Sequence, residues 1–446
     1  MSQGYDVILK GGSVYTPGGL QDVDIAVAGG KIAAIGALAE APAAERIDLK
    51  GLTVLPGVVD TQVHFREPGM EHKEDLESGT KAAVLGGVTA VCEMPNTSPT
   101  TTTAASIDDK LRRAQGRTWC DHAFFVGAAA ENVDKLAELE RLPGVVGVKL
   151  FMGSSTGTLL VEDDDTLEAV LRSGSRRMSV HSEDEPRLRA RMALASNGGP
   201  AQHPVWRDVE TARLATERLL RLARKAGRRI HVLHITTADE LPLLAAYRDV
   251  ATVEVTPQHL TLEAPSCYEE LGTYAQMNPP IREGHHRQAL WGAIANGLVD
   301  VVGSDHAPHT RAEKAKPYPA SPSGMPGVQT LLPLLLDHMS AGRLTLERLV
   351  DLTSAGPQRI FGMAGKGRIA QGYQADFTVV DLEARRRIES SWLASRCGWS
   401  PFEGRFVTGW PVMTIVRGKT VMRDGQAVGS PIGQPLRFVE TLSHQG

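Results

Sequence analysis

The sequence predicts an α/β protein: a (β/α)8 barrel of parallel strands, with a small β-sandwich domain built from both chain ends. Three observations predict it. Apolar or β-branched runs alternate with stretches of helical period eight times over about 300 residues, the sign of repeated βα units. Short β-rich runs divided by glycines fill the first 55 residues and return near the C-terminus. No Gly-x-Gly-x-x-Gly follows the first barrel strand, which removes the main support for a doubly wound open sheet.

The N-terminal strands are read at 6–10 before Gly11-Gly12, at 24–27, and at 31–35 after Gly29-Gly30. The same grammar recurs at 376–381 and 414–421. Residues 1–55 and 357–446 are therefore assigned to one composite β-domain, and 56–356 to the barrel. Barrel strands are expected at 58–63, 90–94, 123–126, 146–151, 178–181, 230–235, 252–256 and 299–304. Helices are expected at 76–86, 104–115, 131–141, 207–226, 237–248 and 286–296.

The bulk numbers narrow the function. Forty-eight basic against 52 acidic side chains leave a net charge of −4, so no nucleic-acid or anionic-membrane partner is expected. Apolar residues at 42% and charged residues at 22% describe a globular chain. No apolar run approaches the roughly 20 residues of a membrane span. The opening residues, 1–10, lack a basic-then-apolar leader. Cys92, Cys120, Cys267 and Cys397 form no Cys-x-x-Cys pair and read as buried thiols in a reducing cytosol. A soluble cytoplasmic protein of enzyme size is expected.

Reactive side chains of a barrel enzyme gather at the C-terminal ends of several strands. Here Gln62, His64 and Arg66 follow the first strand and, by alternation, share one side. The second strand ends in Met94-Pro95-Asn96-Thr97, and the fourth carries Lys149 inside the apolar run Val148-Lys149-Leu150-Phe151. The fifth ends at His181, the sixth at His234, and the eighth in Asp305-His306-Ala307-Pro308-His309. Taken singly, each has an ordinary reading: a satisfied core histidine, a snorkelling lysine, a turn. Their joint arrival at five strand ends points to a metal site. Imidazoles with an aspartate suit zinc, which lowers the pKa of bound water to about 7. An apolar-flanked lysine fits such a site once CO₂ has turned it into a bridging carboxylate.

Five strings carry a resemblance: Pro56-Gly57-Val58-Val59-Asp60, His64-Phe65-Arg66-Glu67-Pro68-Gly69, Met94-Pro95-Asn96-Thr97, Asn278-Pro279-Pro280-Ile281-Arg282 and Asp305-His306-Ala307-Pro308-His309. Over nearly its whole length the chain resembles the amidohydrolase superfamily, and within it the dihydroorotases. The resemblance implies a metal-dependent barrel with His64, His181, His234 and Asp305 as zinc ligands and carboxylated Lys149 as the bridge. It implies Asp305 as general acid and base. Arg66, Asn96 and His309 would hold a substrate carboxylate, Asn278 would contact the pyrimidine ring, and Ser323 and Gly324 would offer backbone groups to it. The implied reaction is reversible hydrolysis of the cyclic amide of (S)-dihydroorotate to N-carbamoyl-L-aspartate, a step of pyrimidine biosynthesis.

Arg66 separates the relatives. A planar guanidinium suits the carboxylate of dihydroorotate. Allantoinases generally have asparagine at this place, and hydantoinases lack the Arg-Glu-Pro-Gly string. One departure stands out: Gln62 occupies the place of the family's first metal-binding histidine. A neutral amide oxygen is a weak ligand, so one zinc position is firm and the second is weakened. Two alternatives therefore stay beside the dihydroorotase reading. One is an allantoinase- or hydantoinase-type cyclic amidase. The other is a silent homologue acting as a structural partner of aspartate transcarbamoylase, although such chains usually lose several ligands and this one keeps the rest. A homo-oligomer is expected. His231 reads as structural, His259 as lining the mouth or supporting a ligand, and residues 310–327 as a lid.

Overall fold

Strands covered by helices outside and by packed side chains inside must be buried along their whole length. That is what the barrel strands show. They are β1 (Val58–Val63), β2 (Val88–Glu93), β3 (Asp121–Gly127), β4 (Val145–Phe151), β5 (Met178–His181), β6 (Ile230–Val232), β7 (Ala251–Val255) and β8 (Val301–Val302). Only Thr252 in β7 is less than fully buried. This computed structural model describes residues 4–38, 40–153, 159–196 and 198–442. Each strand pairs in parallel with the next in sequence order, and a parallel bridge between Val63 and His306 closes the circle.

Two strands are shorter than the sequence suggests, for local reasons. β6 stops at Val232 because His234 adopts a left-handed backbone, φ 40°, which no strand continues through. β8 has two residues because the Ser304 amide donates to the Asp60 carboxylate, 3.0 Å away, in place of a ladder carbonyl. Helix starts follow the capping residues: Asp75 before Leu76–Leu85, Thr103 before Ala104–Ala114 and Asp208 before Val209–Ala226. The long helix ends at Gly227, whose φ of 68° suits a residue without Cβ. The helix expected over 131–141 divides into a 3₁₀ segment, Ala130–Lys135, and Leu136–Leu139. Glu185–Ser196 was not expected as a helix; it buries only Glu185, Leu188 and Ala195, so its sequence carries no apolar stripe.

The β-domain is built from both chain ends. Thr53–Pro56 pairs antiparallel with the start of Phe377–Arg387, placing Val54 opposite Val379 in a seven-stranded sheet. A four-stranded sheet from Tyr5–Lys10, Asp24–Ala28, Lys31–Gly36 and Ala43–Asp48 packs on it through Leu9, Ile25, Val27 and Ile32 against Phe377 and Ile415. The domain is tied to the barrel floor by a buried ion cluster. Lys366 Nζ donates to Asp121 at the start of β3 and to Asp376, each over 2.6 Å. Near the barrel mouth, Gly79 permits Leu76–Leu85 to lie against Phe65, where a Cβ would meet the ring at 2.3 Å. That packing fixes the chain between His64 and Arg66.

Candidate active site

The end of β1 meets the loop after β8. Gln62 Nε2 donates to Asp305 Oδ1 over 3.0 Å, and Gln62 Oε1 is buried without a hydrogen-bond partner among the described residues. His64 Nδ1 lies 2.7 Å from Asn96 Oδ1, so that nitrogen carries the proton and Nε2 is left bare. Bare Nε2 then faces Asp305 Oδ1 at 3.2 Å. Two acceptors at that distance call for a proton or a cation between them. Burial lowers the pKa of His64, which favours the neutral, ligating ring.

A second pair lies across the barrel. His181 Nδ1 and His234 Nε2 are 3.1 Å apart, and His181 Nε2 donates to Glu183 Oε2 over 2.9 Å. Arg207 in turn donates from Nε to Glu183 Oε1 over 3.0 Å. Burial works to raise the Glu183 pKa, yet Arg207 and His181 hold it far below the usual range, so Glu183 stays a carboxylate. The arrangement fixes the His181 proton on Nε2 and turns the Nδ1 lone pair toward His234. Sequence reasoning singled out neither Glu183 nor Arg207. The available signal was Glu183 two residues beyond His181, on the same side of extended chain.

Lys149 stands within electrostatic reach of both pairs. It is 1% exposed, and its ammonium lies over the Phe151 ring at 4.5 Å with no salt bridge or hydrogen bond to a described residue. Burial lowers its pKa to about 7. Among the described residues, no three His, Cys, Asp or Glu side chains form a group able to hold a metal by themselves. The donors nevertheless fit a cation: the facing acceptors His64 Nε2 and Asp305 Oδ1, the His181 Nδ1 lone pair beside the His234 ring, a Gln62 amide oxygen without a partner among the described residues, and an amine that gains a function only as a carboxylate.

Above these pairs is a cationic pole. Arg66 is 2% exposed, and burial lowers its pKa to about 10. Its Nε donates to Pro308 O over 3.1 Å, and a terminal nitrogen lies 3.3 Å from His309 Nε2. No carboxylate among the described residues forms a salt bridge with it. Arg66, His234 and Asp305 all have positive φ, at 65°, 40° and 45°. Such strain in non-glycine residues clusters where the fold holds functional groups in place.

The remaining expected residues line the rim. Asn278 Oδ1 accepts from His203 Nε2 over 2.9 Å, a partner that sequence reasoning did not single out. Ser323 O lies 3.0 Å from His309 Nε2. Gly324 has φ 134°, and a Cβ there would meet Ala307 O at 2.5 Å. His259 is held between Thr256 Oγ1 at 2.8 Å and Pro279 O at 3.0 Å, next to Asn278. His231 contacts Thr252 and Glu254 inside the barrel, away from the mouth. Residues 310–327 are seated on the site by Lys314, whose Nζ donates to Pro322 O over 2.8 Å and Gln276 O over 3.3 Å.

Residues 53–161 and 212–421 match the model of the Amidohydrolase family. The chain is 40% identical over 386 residues to a dihydroorotase of Halobacterium salinarum, covering 86% of this chain and 89% of that one. It is 37% identical over an alignment of 459 residues to an allantoinase of Rubrobacter xylanophilus, covering 99% of each. Among solved structures, the L-hydantoinase (dihydropyrimidinase) from Arthrobacter aurescens matches with a TM-score of 0.92 at 31% identity, across 97% of this chain and 99% of that one.

Proposed function

The chain belongs to the amidohydrolase family, and on that premise we propose that it is a dihydroorotase, opening and closing the cyclic amide of (S)-dihydroorotate. The observation that carries this reading is Arg66: a buried guanidinium without a carboxylate salt bridge among the described residues, beside His309, in the mouth that holds the His64–Asp305 pair. A buried cation of this kind suits an anionic substrate. The dihydroorotase relatives support the same choice.

Arg66, Asn96 and His309 hold the substrate carboxylate, while Asn278 and the backbone at Ser323 and Gly324 meet the ring. This fixes the ring amide over Asp305, so orientation supplies much of the rate. His64 with Asp305, and His181 with His234, would hold zinc, with Lys149 joining as a carboxylate; a metal bound there would polarise the ring carbonyl and acidify water. Asp305 takes a proton from the attacking water and delivers it to the departing ring nitrogen as the C–N bond breaks. The Gln62 amide keeps Asp305 oriented through its 3.0 Å hydrogen bond. Glu183, backed by Arg207, keeps His181 in the ligating tautomer. Because an amide stands at Gln62 where an imidazole would ligate better, one zinc position would be firm and the other weak.

In the ring-closing direction the reaction serves pyrimidine biosynthesis. All four cysteines are buried and free, which supports a reducing, cytoplasmic setting. Among the described residues, no helix is long and apolar enough to cross a membrane. A homo-oligomer goes with this reading, whereas a complex with aspartate transcarbamoylase goes with the silent-homologue alternative; gel filtration reads both. The full-length match to an allantoinase favours the second reading, an amidase of neutral rings. Incubating purified protein with dihydroorotate, and separately with allantoin, tests the choice by NMR. Carbamoyl-aspartate from the first is expected; intact dihydroorotate beside opened allantoin would overturn the proposal.

A further inference from the structure

Lys73 lies in the turn before the helix Leu76–Leu85, and its Nζ is 3.1 Å from His309 Nδ1. We propose that Lys73 is a positioning residue that fixes the His309 proton on Nε2, so that a neutral ring presents an N–H to the substrate carboxylate. The substrate in this statement rests on the dihydroorotase reading; the place of the proton rests on geometry alone.

An ammonium only donates, so His309 Nδ1 must offer its lone pair, and the proton of a neutral ring then sits on Nε2. There it donates to Ser323 O, 3.0 Å away. The opposite tautomer would set an N–H against the Lys73 ammonium and a lone pair against the Ser323 carbonyl. Its one gain would be the longer contact to Arg66, at 3.3 Å. With the proton on Nε2, that Arg66 contact becomes two donors turned toward the same place. An anionic oxygen there satisfies both.

Lys73 is itself held in position. Glu313 Oε1 lies 3.1 Å from its Nζ, and Glu313 Oε2 accepts from Thr310 N and Thr310 Oγ1, each over 2.9 Å. Trp399 Nε1 donates to His309 O over 2.8 Å and fixes the backbone behind the ring. The charged groups facing His309 are Arg66, Lys73 and Lys314, with Glu313 behind Lys73. Burial and these cations hold the imidazole pKa well below its usual value, so the ring is neutral when the enzyme works. A neutral histidine can serve an anion only if its proton is on the right nitrogen.

The test begins on the wild-type protein. Nitrogen-15 NMR of histidine-labelled enzyme at pH 7, with the His309 signals identified by their loss in His309→Asn, should show a protonated Nε2 and a bare Nδ1. A protonated Nδ1 would overturn the proposal. In Lys73→Met both tautomers should be seen. The KM for dihydroorotate should rise about tenfold or more, as for a lost hydrogen bond to a charged group, while kcat changes less than about twofold. Lys73→Arg, which still donates, should stay near wild type. Equal losses in kcat, or a Lys73→Arg protein as impaired as Lys73→Met, would overturn the assignment. A wild type silent on dihydroorotate would sink the substrate reading, while the NMR signals still decide where the proton sits.

Discussion

Gln62 and Asp305 are joined by a 3.0 Å hydrogen bond from the amide Nε2 to the carboxylate Oδ1, and the Gln62 Oε1 behind it is buried without a partner among the described residues. The amide thus orients the proposed proton carrier with one end and offers a weak neutral oxygen with the other.

Replacing this amide by an imidazole should strengthen the weak metal position. After desalting, wild-type protein should retain about one zinc per chain, and Gln62→His about two, an imidazole being a better zinc ligand than an amide. Metal analysis by mass spectrometry reads this directly. Equal content in both proteins would show that Gln62 does not limit the site.

Asp305 carries the proposed proton transfer and faces the bare His64 Nε2 at 3.2 Å. Asp305→Ala should lower kcat by roughly 10²-fold or more, the size expected for a lost general base. Alanine suits a φ of 45° no better than aspartate, so the thermal midpoint should not rise, and circular dichroism should show the fold intact. A variant of normal rate would remove Asp305 from the mechanism.

Lys149 gives a pH dependence whose sign is set by its lowered pKa of about 7. Above that pH the buried amine is neutral and reacts with CO₂; below it the ammonium does not. Metal-stripped protein should therefore recover activity with zinc roughly tenfold faster at pH 8 than at pH 6 when dissolved CO₂ is held equal, following the neutral fraction. The linkage runs the same way. Burying the ammonium destabilises the metal-free fold fully below about pH 7, and the penalty fades as pH rises toward the unfolded value of about 10.4. Lys149→Met should accordingly stabilise the metal-free fold more at pH 6 than at pH 9, read from urea midpoints in CO₂-free buffer.

Glu183 fixes the His181 tautomer over 2.9 Å. Glu183→Gln should weaken zinc binding by about 10- to 100-fold, as for other lost partners of a ligating histidine. Competition with a chelator measures it. Unchanged affinity would mean that Arg207 and Glu183 serve the fold alone.

Much of this was legible in the chain itself. The barrel followed from apolar runs long enough to be buried on both faces, and the composite β-domain from glycine-divided strands at both ends. His64, Lys149, His181, His234 and Asp305 stood out because polar groups at the ends of apolar strands are rare. Strand ends were harder to read. β6 and β8 stop where His234 turns left-handed and where Asp60 takes the Ser304 amide, and neither event leaves a mark in local composition. Glu183, Arg207, His203 and Lys73 were missed for a shared reason. Each acts on a functional side chain through a contact that depends on where the folded chain returns, as in the 24 residues from Glu183 to Arg207 and the 236 from Lys73 to His309.

The central claim is that Arg66 reads a carboxylate on a cyclic amide. Its most direct test is kcat/KM for dihydroorotate, allantoin and dihydrouracil side by side, with zinc and bicarbonate supplied, on wild type and Arg66→Met. The account predicts that wild type prefers dihydroorotate, and that Arg66→Met loses about tenfold or more on that substrate while the neutral rings change little. Equal losses on all three, or a wild type that favours a neutral ring, would contradict it.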